Sequence, residues 1–153
     1  MIKLNLVSSI NEKNILVNID AKDKEDALKQ LIHTFYETGN IQDESLFLTD
    51  VYAREAEGAT GIGNGVAIPH GKGPTVKEPA VGIATLNYPI PWESLDDKKT
   101  QIVVLFAVTD SVEGAKEHLK VLSQFARKLG NDSALENLKE AHTIQDIVNV
   151  FEN

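Results

Sequence analysis

The chain has 153 residues, with 15 basic and 23 acidic side chains, a formal net charge of −8 and no cysteine. That length suits one domain spanning 1–153, and 42% hydrophobic against 25% charged residues suits an ordinary globule with a real core. The missing cysteines remove disulfides, Cys–zinc sites, iron–sulfur ligation and thiol nucleophiles, and the acidic balance opposes nucleic-acid binding because phosphate backbones repel such a surface.

The N-terminal residues Ile2 to Leu6 show neither the apolar core nor the small-residue cleavage site of a signal peptide. The segment Asn14 to Ile19 suits a short strand. Asp23 then reads as an N-cap, Ala27, Leu28, Leu31, Ile32 and Phe35 recur at helical spacing, and Gly39 stands just past the end. A second helix starts at Asp43, carries Phe47, Val51 and Arg54 on one stripe, and has Gly58 as its expected C′ residue.

Six of the ten glycines fall between Gly58 and Gly73, and all five prolines between Pro69 and Pro91, so the middle of the chain carries the demanding turns. Ala80 to Leu86 and Gln101 to Val108 are predicted strands; the second is apolar on both faces, as in a central strand covered by helices on each side. Its apolar run, seven residues from Ile102 to Val108, falls far short of the roughly 20 that span a bilayer. A cytoplasmic protein without direct membrane insertion is therefore expected. Leu119, Leu122, Phe125, Ala126 and Leu129 mark a third helix closed by Gly130. Ser133 to Glu136 reads as a capping box for a short helix, and Thr143 to Phe151 as a final one. The mixture predicts a layered α/β domain.

The stretch from Gly58 to Gly73 is the informative one. A P-loop needs Gly-Lys followed by Ser or Thr and a helix, whereas Gly71-Lys72 is followed by Gly73-Pro74. A dinucleotide fingerprint needs a helix after its third glycine, whereas this chain runs into Val66 to Pro69, a short strand ended by proline. What remains is a glycine-rich approach to one histidine, His70, with Gly71 behind it. Neutral imidazole is nucleophilic at neutral pH, small residues let backbone N–H groups reach phosphoryl oxygens, and Pro69 stiffens the approach. These features suit a phosphate acceptor, and equally a demanding turn with an incidental surface histidine.

Arg54 is readable as a cation matched to its helix C-terminus or as a planar donor to a phosphoryl group. His118, spaced with Leu122 and Phe125, is readable as a satisfied core histidine or as a second imidazole facing His70. His33 and His142 read as structural or surface residues. No histidine pair has the spacing of a helical zinc motif, so no metal site is predicted, and no Gly-x-Ser-x-Gly elbow marks a hydrolase.

The segment Thr60 to Lys72 resembles the active-site signature of the enzyme IIA component of the phosphoenolpyruvate-dependent sugar phosphotransferase system, fructose–mannitol class. The likeness extends to Arg54-Glu55, to Pro91 through Asp96, to Leu105 through Val108 and to His118 through Ser123. It implies a three-layer α/β/α fold around a mixed five-stranded sheet. It also implies a phosphoryl carrier that is loaded by phospho-HPr and unloaded onto a IIB component, which works in turn with membrane-embedded IIC. Carried over by position, His70 is the phosphoacceptor, expected to attack through Nε2 with Nδ1–H held by a backbone carbonyl, His118 and Arg54 stabilise the phosphoryl group, and Thr60, Gly61, Asn64 and Gly71 form a supporting loop. No cofactor is implied, and IIB is expected on another chain. Asn64 and the Trp92 segment point to the fructose branch; a regulatory, nitrogen-related IIA shares the pattern. A non-catalytic interaction module would not need the intact trio of His70, His118 and Arg54. The net acidic surface suits a basic face on HPr.

Overall fold

In the computed structural model, which describes residues 9–152, the apolar run 102–108 lies in the middle of a sheet with helices on both faces. The elements in order are β1 (Ile15–Ile19), α1 (Lys24–Glu37), α2 (Glu44–Glu55), β2 (Gly61–Gly63), β3 (Val66–Ala67), β4 (His70–Gly73), β5 (Ala80–Ile90), β6 (Thr100–Thr109), α3 (Val112–Leu129), α4 (Asp132–Glu140) and α5 (Ile144–Glu152). Alternation along β6 builds the layers. Ile102, Val104, Phe106 and Val108 join Phe125, Leu129, Leu138 and Phe151 on one face. Val103, Leu105 and Ala107 join Leu28, Leu31, Phe35, Phe47 and Val51 on the other. This is the predicted three-layer α/β/α arrangement.

The strand order is β1-β5-β6-β3-β2, with β4 also paired to β6. β5 runs antiparallel to β6, whereas β1 is parallel to β5 and both β3 and β4 are parallel to β6. Six strands occupy five lanes. Val66 pairs with Ile102 and His70 with Phe106 at an unchanged offset, so β3 and β4 are one strand interrupted at Ile68-Pro69. Proline lacks the N–H that would keep the ladder continuous, yet the Pro69 carbonyl still accepts from Phe106 N at 3.0 Å.

The N-caps follow the sequence at α1, α2 and α5 and depart from it at α4, while Ser111 caps α3 unannounced. Asp23, Asp43 and Ser111 accept from Asp26 N, Leu46 N and Gly114 N. At α5, Thr143 Oγ1 accepts from Asp146 N while the Asp146 carboxylate accepts from Thr143 N and His142 N. At α4 the cap is Asn131, accepting from Ala134 N at 3.0 Å, and Ser133 lies within the first turn. The predicted capping box at Ser133 is thus displaced by a residue of equal capping strength two positions earlier. At α2, Ala56 is the cap, so Glu57 is the C′ residue and Gly58, predicted there, lies one residue beyond. Leu119 and Ala126, predicted on the stripe of α3, are exposed, Leu119 by 65%; Phe125 and Leu129 do the anchoring. Among the described residues, no helix is long and apolar enough to cross a membrane.

Candidate functional site

Residues paired between β4 and β6 share a face, so the register decides where each β4 side chain goes. His70 and Lys72 project with Phe106 and Val108 toward α3, whereas Gly71 and Gly73 face α2. That second face has no room for a side chain. A Cβ on Gly71 would stand 2.6 Å from Phe47 Cε1 and 3.0 Å from Val51 Cγ2, and one on Gly73 would collide with the Asp50 carboxylate. The glycines beside His70 therefore let α2 close on the strand edge. This closure brings the C-terminal turn of α2, with Arg54, to the histidine.

His118 reaches the same place from the second turn of α3. The His70 and His118 rings stand edge to face, their centroids 4.9 Å apart at 61°. Phe106 contacts both rings, at 5.9 Å from His70 and 5.3 Å from His118, and is itself backed by Phe125. This aromatic floor excludes water from behind the imidazoles. Burial pushes the His118 pKa down to about 4, with the His70 ring and the Lys72 ammonium adding to the effect. Burial also lowers the pKa of His70; the Arg54 charge acts in the same sense, and the Pro69 and Ile68 carbonyls and Glu55 act against it. Both rings are thus held neutral at pH 7. The His70 Nδ1 atom is buried, on the side where the Pro69 and Ile68 carbonyls act on the ring. Nε2 is the nitrogen left to face the cleft.

That cleft measures about 430 Å³ and is lined by Arg54, His70, Lys72 and His118 together with Asp50, Glu57, Val108 and Leu119. Arg54 Nη1 donates to the Gly58 carbonyl at 3.0 Å, which orients the guanidinium while leaving its other N–H groups for a ligand. The arrangement offers a neutral nucleophile, a neutral imidazole donor and two cations around one opening. That is a set suited to an incoming phosphoryl group, for which alignment and charge matter more than covalent help.

The trio predicted from sequence, His70, His118 and Arg54, is brought together. The supporting loop is not part of the cleft. Thr60 is buried, with its Oγ1 donating to Glu55 Oε1 at 2.5 Å and accepting from Trp92 Nε1 at 3.0 Å. Glu55 Oε2 meets Lys24 Nζ at 2.5 Å, and Lys24 lies over the Trp92 ring. This buried chain ties the end of α2 to the segment after β5. Gly61 pairs with the same segment, taking an N–H bond to Glu93 O and giving its carbonyl to Leu95 N, both at 3.0 Å. Asn64 sits with positive φ between two glycines of positive φ at the β2–β3 turn, and its N–H goes to Asp96. That turn is six residues back along an extended strand from His70, roughly 20 Å away. The structure thus places Thr60, Gly61 and Asn64 in the frame outside the cleft lining, and Gly71 against α2 beside His70.

His33 lies outside the cleft between Glu37 and Glu44, and His142 is exposed beside Asp146. Lys72, Asp50 and Glu57 line the cleft without having been singled out. The signal for Lys72 was its i, i+2 relation to His70, visible only once 70–73 is known to be a strand.

The chain matches the family described as "Phosphoenolpyruvate-dependent sugar phosphotransferase system, EIIA 2" over residues 8–153. The fructose-specific EIIA component of Haloferax volcanii is 33% identical over 128 residues, 82% of each chain. The 2-O-alpha-mannosyl-D-glycerate-specific EIIABC component of Escherichia coli is 30% identical over 153 residues, covering 99% of this chain but only 23% of that longer protein. Among solved structures, the nitrogen regulatory protein IIA-Ntr of Neisseria meningitidis shares the fold with a TM-score of 0.86 at 23% identity, over 95% of this chain and 98% of that one.

Proposed function

Since the chain belongs to the EIIA 2 family of the phosphoenolpyruvate-dependent sugar phosphotransferase system and is a phosphoryl carrier of that family, we propose that it accepts its phosphoryl group on His70 from phospho-HPr and passes it to a IIB component. The sugar branch is the fructose type, in keeping with the name of the Haloferax volcanii relative. The carrier works in the cytoplasm, where its phosphoryl donor is found. The observation that carries this reading is the pair of neutral imidazoles 4.9 Å apart in a cleft that also holds Arg54.

In the loading step the P–N bond of the donor breaks as the bond to His70 Nε2 forms, and the donor nitrogen takes back its electron pair. His118 donates its ring N–H to a phosphoryl oxygen. Arg54 supplies charge through the N–H groups not used on Gly58. Unloading runs the same geometry in reverse toward the next carrier.

The test is reconstitution with phosphoenolpyruvate, enzyme I and HPr, followed by addition of a fructose-type IIB. The wild type is labelled and then loses its label to IIB, and His70→Ala takes none. In His118→Ala the label still arrives but moves on more slowly. Label that persists in His70→Ala sinks the assignment. A labelled protein that no IIB can discharge points instead to the regulatory, nitrogen-related reading.

A further inference from the structure

Charge in the cleft is not accounted for by the three residues named above. In the unloaded cleft His118 is held neutral, so there it contributes a hydrogen bond and no charge. Arg54 has one N–H already committed to the Gly58 carbonyl. Facing them are two carboxylates, Asp50 on α2 and Glu57 in the turn just past its end, and Asp110 acts on Asp50 from the end of β6. A phosphoryl group on His70 adds about −1.5 to −2 at pH 7. One partly occupied arginine against that sum leaves the loaded cleft strongly anionic.

Lys72 is the remaining cation on the cleft wall. It stands two residues from His70 on the same strand face, about 7 Å along the chain. Its ammonium is close enough to His118 to depress that ring's pKa. Its side chain makes no hydrogen bond or ion pair with any described residue and is exposed on the cleft side. A flexible four-carbon stem can bring such a free ammonium onto a phosphoryl oxygen.

We propose that Lys72 is a further catalytic residue, a second cation that grips the phosphoryl group on His70 opposite Arg54. The proposal rests on His70 being the phosphoacceptor. Lys72 keeps all its protons throughout: the bond broken is the donor's P–N bond, the bond formed is to His70 Nε2, and the ammonium only offsets the oxygens' charge. The two cations then stand at either side of the group, Arg54 as a planar fork and Lys72 as a movable point charge.

The experiment compares wild type, Lys72→Met, Lys72→Arg and Lys77→Met, the last removing an exposed charge outside the cleft. Each protein is loaded by phosphoenolpyruvate, enzyme I and HPr. The second ionisation of the phosphoryl group is then followed by phosphorus NMR, and single-turnover loading is measured across phospho-HPr concentrations. Loss of an adjacent cation raises the midpoint of that ionisation by about 1 unit in Lys72→Met, with Lys72→Arg near wild type and Lys77→Met unmoved. The saturating loading rate falls about tenfold in Lys72→Met, while the half-saturating HPr concentration changes less than about twofold. An unmoved phosphorus titration in Lys72→Met overturns the proposal, even if HPr binding weakens, because Lys72 would then serve docking alone. Equal effects from Lys77→Met overturn it too, since any surface charge would suffice. Absence of label on wild-type His70 refutes the acceptor assignment itself, and this inference with it.

Discussion

Replacing His118 with phenylalanine measures what it costs to keep an imidazole neutral in the cleft. The ring titrates at about 4 in the folded protein against 6.5 for the free side chain. The folded-state value is the depressed one, so between those values the unfolded chain binds the proton and the folded chain does not. Stability from this source is complete above about pH 6.5 and is lost as the pH falls toward 4. At about 1.4 kcal/mol per unit the ceiling is about 3.4 kcal/mol, and solvent screening of a half-buried ring brings it to about 1–2 kcal/mol. Phenylalanine keeps the ring against Phe106 and removes the titration. Urea unfolding at pH 7 and pH 4.5 should therefore show the wild type losing about 1–2 kcal/mol more than His118→Phe, or about 3–6 °C in melting temperature. Carboxylate effects are common to both proteins and cancel in the difference. Equal losses, or an NMR titration placing His118 near 6.5, would refute the reasoning.

Gly71→Ala sets a methyl group 2.6 Å from the Phe47 ring, so α2 must withdraw; a loss of about 1–3 kcal/mol in urea unfolding is expected, with slower phosphoryl loading because Arg54 moves with the helix. Thr60→Val leaves the Trp92 N–H and a Glu55 oxygen without their shared hydroxyl, costing about 1–3 kcal/mol by the same assay. Arg54→Lys keeps the charge but loses the fork that serves Gly58 and the phosphoryl group together; single-turnover loading should slow by about tenfold or more with little change in melting temperature.

Much of the fold was legible because burial imposes strict periods. The double-sided run 102–108 announced a central strand, and the 3.6-residue stripe of Ala27 to Phe35 announced α1. The segments that failed to announce themselves are β2 and β4, whose Gly-Ile-Gly and His-Gly-Lys-Gly are poor strand formers on propensity and are extended only because β3, β6 and the segment after Trp92 pair with them. That omission had a consequence at the site. With 70–73 unrecognised as a strand, the glycines around His70 looked like a phosphate cradle, when Gly71 and Gly73 face α2, Gly63 and Gly65 turn the β2–β3 hairpin, Gly61 pairs with the segment after Trp92 and Gly58 follows α2. Leu119 misled for a related reason: helical spacing marks one face of α3, and the sequence does not say how far along the helix its neighbours extend. The trio was picked out by its resemblance to a known signature, each member alone being readable as structural, whereas Lys72 in isolation looks like any solvated lysine.

Trypsin separates the four histidines, since cleavage at Lys and Arg puts His33 in 30–54, His70 in 55–72, His118 in 117–120 and His142 in 140–153. Mapping the phosphopeptide under neutral conditions after loading by phosphoenolpyruvate, enzyme I and HPr therefore locates the acceptor in one step. The phosphoryl group is predicted on 55–72 alone, at His70. Its appearance on 117–120, or its absence from 55–72 in a protein that is otherwise labelled, would contradict the assignment of His70 as the nucleophile.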